Sequence, residues 1–461
     1  MNKTDSQVER LLKSGEFDTE WYLSTYPDVA KLGMEPAAHY LRYGRAMGRQ
    51  PGPGIVARER SLHTSSKSLN GAKERIDENQ NRSERPKVLR NIVFVITDIS
   101  TIGGVPNRTR IVLSYSAKNE ISFHGVTLKN EYGHRVDSVY CLADDPDSLR
   151  TRLTRWSPED TVFVVSNNMM KPFPADIVAR IEQFPIVYFS AGQMAFFVQN
   201  SPVLMDLEYV ERFRAMKIIS LSDGDIRFQQ QLGIFGQVKG TVPVTQRHTN
   251  TYNPVLNRRL GYVGRIDFHA KDCIRLLDVA RAMKGTSWLP IQIFTTDGRN
   301  SPEYGRFREA VIDAGLEDSF DFTVNCTDKD RIYREIGCLL LPSKMEGFGN
   351  VVVEAFSYGI PVIAASYAPG PAETIEHGRS GFLLDTYTGE AVQNLMASIT
   401  QDDLKAMSEA AFKRHKRYSL EDHVSLLIRV CTEALNEFKG KNLHRVFPVL
   451  RIAQDAARRR R

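Results

Sequence analysis

Two successive series of short apolar runs, each run trailed by a helix-like stretch, constrain this chain more than any other feature. The first series reads "NIVFVITDI", "VDSVYCLA", "TVFVVSN", "IVYFSAG" and "IISLSD"; the second reads "RLGYVGR", "IQIFTTDG", "DFTVN", "CLLLPS", "PVIAAS" and "GFLLD". Their apolarity is continuous rather than alternating, which is the pattern of strands buried on both faces of a parallel sheet. Helical stretches between such strands predict two consecutive α/β, doubly wound, Rossmann-like domains, at residues 89–250 and 251–436. Ligands of such sheets sit beyond the carboxyl ends of the strands, so the expected site is the cleft between the two domains.

The remainder of the 461 residues flanks this pair. Residues 1–56 break into short helical pieces rich in Trp and Tyr and read as a small all-α module. Residues 57–88 carry too little apolar surface to offset their ordering entropy and read as a polar linker. Residues 437–461 read as a C-terminal helix and basic tail, either packed back on the body or in peripheral contact with an anionic inner-membrane surface. A net charge of only +6 argues against a nucleic-acid partner. The N-terminus lacks a signal-peptide core and no run of about 18 apolar residues occurs, so the expected location is cytoplasmic. The five cysteines are scattered, without metal-ligand spacing, and read as reduced structural thiols.

The second series carries the chemistry. "CLLLPS" reads as a buried strand, "KMEGFGN" as the loop at its carboxyl end, and "VVVEAFSYG" as a helix closed by Gly359 ahead of Pro361. Glu346 in that loop points toward the cleft. Gly347 and Gly349 let the backbone approach a ligand, and free N–H groups at the helix start suit a phosphate. Glu354, about one turn into the helix, could reach a ribose or sugar hydroxyl. Two glutamates in such a unit could equally be solvated surface or a capping pair. The segment "GYVGRIDFHAKD" favours a site, because it sets Arg265 and Lys271 around another strand-to-helix turn where two cations can converge on phosphates.

Gly264, Arg265 and Lys271, followed by Glu346, its glycines and Glu354, resemble the donor-binding half of family 4 retaining glycosyltransferases of the GT-B fold. The acids match that family's E-x7-E spacing and the cations its GR…K pair, and "GIPVIAASYAPGPAETIEHGRSGFLL" resembles the segment that follows. The N-terminal "FDTEWYLSTYPDVAKLG" resembles a helical segment attached to bacterial surface-polysaccharide glycosyltransferases. The resemblance implies that Arg265 and Lys271 neutralise the diphosphate of a nucleotide-sugar, that Glu346 holds the transferred sugar, and that Glu354 holds the ribose. Phe348, Gly349, Asn350 and Val351 would offer backbone contacts to sugar and phosphate, and Val324 and Asn325 would stand where the base rests. It also implies a glycan or lipid-linked acceptor, a role in bacterial surface polysaccharide synthesis, and no metal or other cofactor, the nucleotide-sugar being a co-substrate.

In the acceptor-side domain, Gly103 and Gly104 resemble the family's glycine loop at the end of the first strand. Arg108 and Arg110 are either phosphate or acceptor contacts or helix-surface charges. The family's histidines at two later strand ends are missing, and Ser166, Asn167, Ser190 or Gln193 would occupy that space. Asp223 and Asp225 in "SDGD" read as helix caps rather than metal ligands. Two other functions fit the same pattern: a non-catalytic nucleotide-sugar-binding or scaffolding subunit, and a nucleotide-sugar epimerase of the same fold.

Overall fold

Strands form where the apolar runs predict them, and they assemble into two parallel sheets. The computed structural model describes residues 8, 11–14, 17–25, 35–40, 51–52, 87–100, 104–115, 121–130, 138–166, 170, 172–191, 214–231, 234, 236–243, 259–326 and 328–445. The first half of the body contains β1 (Asn91–Asp98), β2 (Ser122–Lys129), β3 (Val139–Cys141), β4 (Thr161–Ser166), β5 (Ile186–Ser190), β6 (Arg214–Ala215), β7 (Lys217–Ser220) and β8 (Gln237–Lys239). All but β6 form one seven-stranded sheet in the order β3-β2-β1-β4-β5-β7-β8. The second half contains β9 (Leu260–Val263), β10 (Ile291–Thr295), β11 (Phe320–Val324), β12 (Cys338–Leu341), β13 (Val362–Ala365) and β14 (Gly381–Leu384), in the order β11-β10-β9-β12-β13-β14. A short β15 (His444–Arg445) pairs antiparallel with β6.

In each sheet the order reverses at the first strand, between β1 and β4 and between β9 and β12, and such reversals open the crevice in which α/β sheets bind ligands. Six helices frame the cleft or join the domains: α1 (Gly104–Leu113), α2 (Asp223–Gln231), α3 (Lys329–Arg334), α4 (Asn350–Ser357), α5 (Pro369–Thr374) and α6 (Leu420–Glu437).

Both faces of the first sheet are covered. Along β1, Ile92, Phe94 and Ile96 enter one core cluster while Val93 and Val95 enter the other, as the two-residue repeat of a strand requires. The first of these clusters is completed by α6, whose Val424, Leu427, Val430, Cys431, Ala434 and Leu435 are buried in it. Each fully buried aliphatic of this kind contributes about 1.5–3 kcal/mol. The chain therefore returns to the first domain after building the second. Phe348 and Val353 of the second domain lie in the same cluster, so the two domains share apolar contact beneath the cleft.

Strands β2 and β8 are not among the predicted runs. β2 (SFHGVTLK) is interrupted by His124, Gly125 and Thr127, and its pairing with both β1 and β3 rather than its own apolarity makes it a strand. A small separate cluster of Phe17, Tyr22, Ala37 and Tyr40 joins the helices Thr19–Thr25 and Pro36–His39. Of the expected linker only residues 87–88 are described, and the tail beyond residue 445 lies outside the described residues. No helix among the described residues is long and apolar enough to cross a membrane.

A carboxylate ties the domains together. Glu373 on α5 accepts from the backbone N–H of Asp223 and of Gly224, each at 2.9 Å, and pairs with Lys239 at 2.9 Å. It thereby caps α2 of the other domain. The cap expected from Asp223 or Asp225 is not made: Asp223 pairs with Lys239 at 2.5 Å, and Asp225 accepts from Ser190 at 3.0 Å and Gln229 at 2.7 Å. The local cap comes instead from Ser222, whose Oγ accepts from the Asp225 N–H at 3.0 Å, and the N–H groups of Asp223 and Gly224 are reached by a charged acceptor 150 and 149 positions away. A Cβ on Gly224 would stand 2.8 Å from Pro369 Cβ, so the same contact needs glycine. Glu373→Ala should cost about 1 kcal/mol in thermal stability, the usual value of a cap. It should also enlarge the radius of gyration in solution scattering, and an unchanged scattering profile would show that the cap does not hold the domains closed.

Candidate active site

The site is assembled from the loops at the carboxyl ends of β9 and β12, the two strands flanking the order reversal of the second sheet. After β9 the chain turns at Gly264, whose φ of 154° is outside the range favoured by other residues. Tyr262 OH holds this turn by donating to the Arg265 carbonyl at 2.5 Å, and Cys273 Sγ donates to Tyr262 OH at 3.1 Å. Burial first, then the neighbouring Cys273, pushes the Tyr262 phenol well above its ordinary value, so it stays protonated and keeps that bond.

Asp267 organises the turn up to Lys271. Its Oδ1 accepts from the backbone N–H of His269 at 2.8 Å, Ala270 at 2.7 Å and Lys271 at 3.4 Å. Burial opposes its charge, but these donors together with Arg265 outweigh it, and the carboxyl sits below its usual range. The loop is then joined to the one after β12, because the N–H groups of Lys344 and Met345 donate to the Ala270 carbonyl at 2.9 and 3.2 Å. Lys344 Nζ also pairs with the buried Asp272 at 3.1 Å.

This stitching places Lys271 against Glu346. The lysine forms an ion pair with Glu346 Oε1, and Ser343 Oγ donates to the same oxygen at 2.9 Å. Glu346 is 9% exposed, so its charge needs those partners. Arg265 is different: 62% of its side chain is exposed, and its ion pair, to Asp267, is as long as 3.9 Å. A pair of that length leaves most of its donors available to a ligand.

Beyond Glu346 the backbone passes Gly349 at φ 81° and enters α4. Its N-cap residue is Gly349, which has no side chain to cap it. Its first N–H groups, from Asn350 and Val351, have no intrahelical partner, as at any helix start. The loop is supported from behind by Gly370, where a Cβ would lie 2.5 Å from Phe348 Cα and 2.7 Å from the Gly347 carbonyl oxygen. Phe348 itself is buried, with its ring against Tyr418.

Glu354 lies on α4, as the spacing predicts, and is held by Lys329 Nζ at 2.7 Å and Tyr333 OH at 3.1 Å, both from α3. No sequence motif points to those two partners. Val324 ends β11, and Asn325 follows at φ 55°, donating its N–H to the Thr295 carbonyl at 2.9 Å. Asparagine tolerates that backbone conformation better than other non-glycine residues.

On the other side of the cleft, Gly104 opens α1 so close to α4 that a Cβ there would be 2.9 Å from Asn350 Nδ2. Gly104 of one domain thus meets the start of α4 in the other. Ser166 ends β4 and accepts from Arg108 at 2.9 Å, and Ser190 ends β5 and donates to Asp225. Of the helix-surface and contact alternatives for the two arginines, Arg108 is buried, and Arg110 donates to the Ile99 carbonyl at 2.5 Å. Gly103, Asn167 and Gln193 lie outside the described residues.

Two Rossmann-like domains facing each other across such a cleft define the GT-B fold, and solved structures of that fold superpose on this chain. Anabaena HepE in complex with UDP-glucose matches with a TM-score of 0.60 at 17% identity, covering 74% of this chain and 99% of that one. Sucrose-phosphate synthase from Thermosynechococcus elongatus matches with a TM-score of 0.57 at 14% identity, over 74% of this chain and 98% of that one. In sequence, residues 254–417 match the family described as Glycosyl transferases group 1. A sucrose synthase of Solanum tuberosum is 38% identical over 101 residues, which are 20% of this chain and 12% of that one. An uncharacterized glycosyltransferase of Haemophilus influenzae is 32% identical over 108 residues, 23% of this chain and 31% of that one. The chain thus spans less than a third of the length of these curated relatives, and the matched family region contains the whole β9–β12 site.

Proposed function

We propose that the chain is a retaining glycosyltransferase that moves a sugar from a nucleotide-diphosphate donor onto a glycan or lipid-linked acceptor in bacterial surface polysaccharide synthesis. The observation that carries this reading is the Lys271–Glu346 pair, stitched between two strand ends and set beside the uncapped start of α4. The family match over residues 254–417 and the UDP-glucose bound to HepE support a nucleotide-sugar as the donor.

In this reading the donor diphosphate lies on the first N–H groups of α4 and draws on Arg265 and Lys271. Negative charge grows on the leaving phosphate oxygen as the glycosidic bond breaks, and cations already in place stabilise it without reorganisation. Glu346 then accepts hydrogen bonds from the sugar as its ring becomes cation-like. Glu354, Lys329 and Tyr333 bind the ribose, and Val324 and Asn325 border the base. Gly104 leaves room for the sugar between the domains. Retention follows when the acceptor attacks the face the departing phosphate leaves, with that phosphate taking the acceptor's proton.

Release of nucleotide diphosphate from a panel of nucleotide-sugars tests the reading. Binding without consumption would identify a nucleotide-sugar-binding subunit instead, and interconversion of the donor without an acceptor would identify an epimerase. Turnover is also expected to survive EDTA, because the groups assigned to the diphosphate are an arginine, a lysine and backbone N–H donors. Complete loss with EDTA and recovery with Mn²⁺ would overturn that assignment.

A further inference from the structure

Arg108 is a buried cation on the acceptor side whose charge no described residue answers. It is 4% exposed, yet no carboxylate among the described residues lies within ion-pair distance of it. A guanidinium has five N–H donors, and the hydrogen bond from Nη2 to Ser166 Oγ, at 2.9 Å, uses one of them. Nε is buried without a partner among the described residues. One face of the group lies on the Phe189 ring, 3.5 Å from its centroid. Burial lowers its pKa to about 9, which still leaves it charged at neutral pH.

A second unanswered atom stands nearby. His423 on α6 has its Nδ1 2.8 Å from the Thr241 carbonyl, and its Nε2 is buried without a partner among the described residues. Its ring centroid is 6.2 Å from that of Phe189. Burial, with the Arg108 charge second, lowers its pKa to about 3, so the imidazole is neutral and cannot neutralise or replace the arginine. A desolvated cation with idle donors is costly to keep buried.

The place of Arg108 in the fold sets what it faces. It lies four residues after Gly104 on α1, on the same helix face. Gly104 meets Asn350 across the cleft. Ser166 and Phe189 are at the carboxyl ends of β4 and β5, beside the β1/β4 order reversal. The donor diphosphate already has Arg265 and Lys271 on the opposite domain, so a neutral sugar passing to a neutral acceptor would give this third cation nothing to bind.

Taking the donor site as proposed for this chain, we propose that Arg108 is a specificity residue for an oxyanion, a carboxylate or phosphate borne by a sugar in the cleft. The anion is carried either by the transferred sugar, as in a uronic acid, or by the acceptor. In both cases the planar donor fork of the arginine would bind it in a bidentate manner.

Calorimetric titration of the full chain separates the two sources. One arm compares UDP-glucuronate with UDP-glucose. The other compares glucuronate and glucose 6-phosphate with glucose, with and without saturating UDP. One arm is expected to show a preference of roughly ten- to a hundredfold for the charged sugar, the value of a charge-assisted bond. Arg108→Met should abolish that preference while leaving the affinity for UDP unchanged and the ligand-free melting temperature equal or higher, because removing an unpaired buried charge does not destabilise.

Equal affinities for charged and neutral sugars in both arms would overturn the proposal, as would a preference that survives in Arg108→Met. A matching loss of affinity for UDP itself would overturn it too, by assigning the cation to the diphosphate. If Arg108→Met does not fold, the wild-type arms still decide, and Arg108→Lys, which keeps charge but not the fork, should weaken the preference. A wild type that binds the charged sugar but not UDP would count against the donor site and not against Arg108.

Discussion

Lys271→Ala is expected to lower turnover of the donor about a hundred- to a thousandfold, the loss typical when one preorganised donor to a developing oxyanion is removed. It should also destabilise the fold. Glu346 would keep Ser343 but lose its cation at a position 9% exposed. Breaking a buried pair from one side costs about 3 kcal/mol or more, and here somewhat less, because part of the lysine reaches solvent. The two effects separate in a double variant. Lys271→Ala with Glu346→Gln removes the carboxylate that has lost its lysine, so the melting temperature should recover while turnover stays low. Steady-state kinetics and thermal melting on the three variants measure this. Near-normal turnover in Lys271→Ala would make the pair a structural feature of the loop junction and remove the lysine from the chemistry.

Glu346→Gln and Glu354→Gln should differ in kind. In the proposed reading Glu346 lies beside the bond being broken, where hydrogen bonds to the sugar strengthen as positive charge develops, so its loss should lower kcat. Glu354 is held on α4 by Lys329 and Tyr333, and in the same reading stands away from that bond. A ribose contact there is similar in ground and transition states, so Glu354→Gln should mainly raise the donor KM. A charge-assisted bond is worth about 1.5–3 kcal/mol, which is roughly ten- to a hundredfold in either parameter. The partners of Glu354 sharpen this expectation. Tyr333→Phe removes a neutral hydroxyl and should raise KM less than Glu354→Gln does. Equal effects of both glutamates on kcat would mean that the helix position is not remote from the reacting centre.

The second domain was legible almost strand by strand. The runs of β10, β12 and β13 are continuous in apolarity because those strands are buried on both faces, and β9 to β14 fall where the runs lie, the edge strands β11 and β14 being only partly buried. β2 was not legible. His124 and Gly125 interrupt it, and what makes it a strand is hydrogen bonding on both sides, from β1 and β3, which no local pattern reports. The same division runs through the site. The glycine at 349 and the helix after it are local events: a left-handed turn needs a residue without Cβ, and a helix start leaves N–H groups free. The partners Lys329 and Tyr333 of Glu354, by contrast, come from a neighbouring helix and have no sequence signal of their own.

The sequence by itself determined the two α/β domains, the strand-end loops, and the kinds of group those loops carry, because burial pattern and turn chemistry act within a few residues. Only the tertiary structure decided which charges meet. Lys271 and Glu346 are 75 positions apart, and they pair because the sheet order seats β9 beside β12, although β10 and β11 separate them along the chain. Arg108 reaches Ser166 across 58 positions because β1 adjoins β4, and Glu373 caps α2 across 150 because the domains close. Electrostatic pairing depends on distance in space, and in a doubly wound fold that distance is set by strand order rather than by separation along the chain.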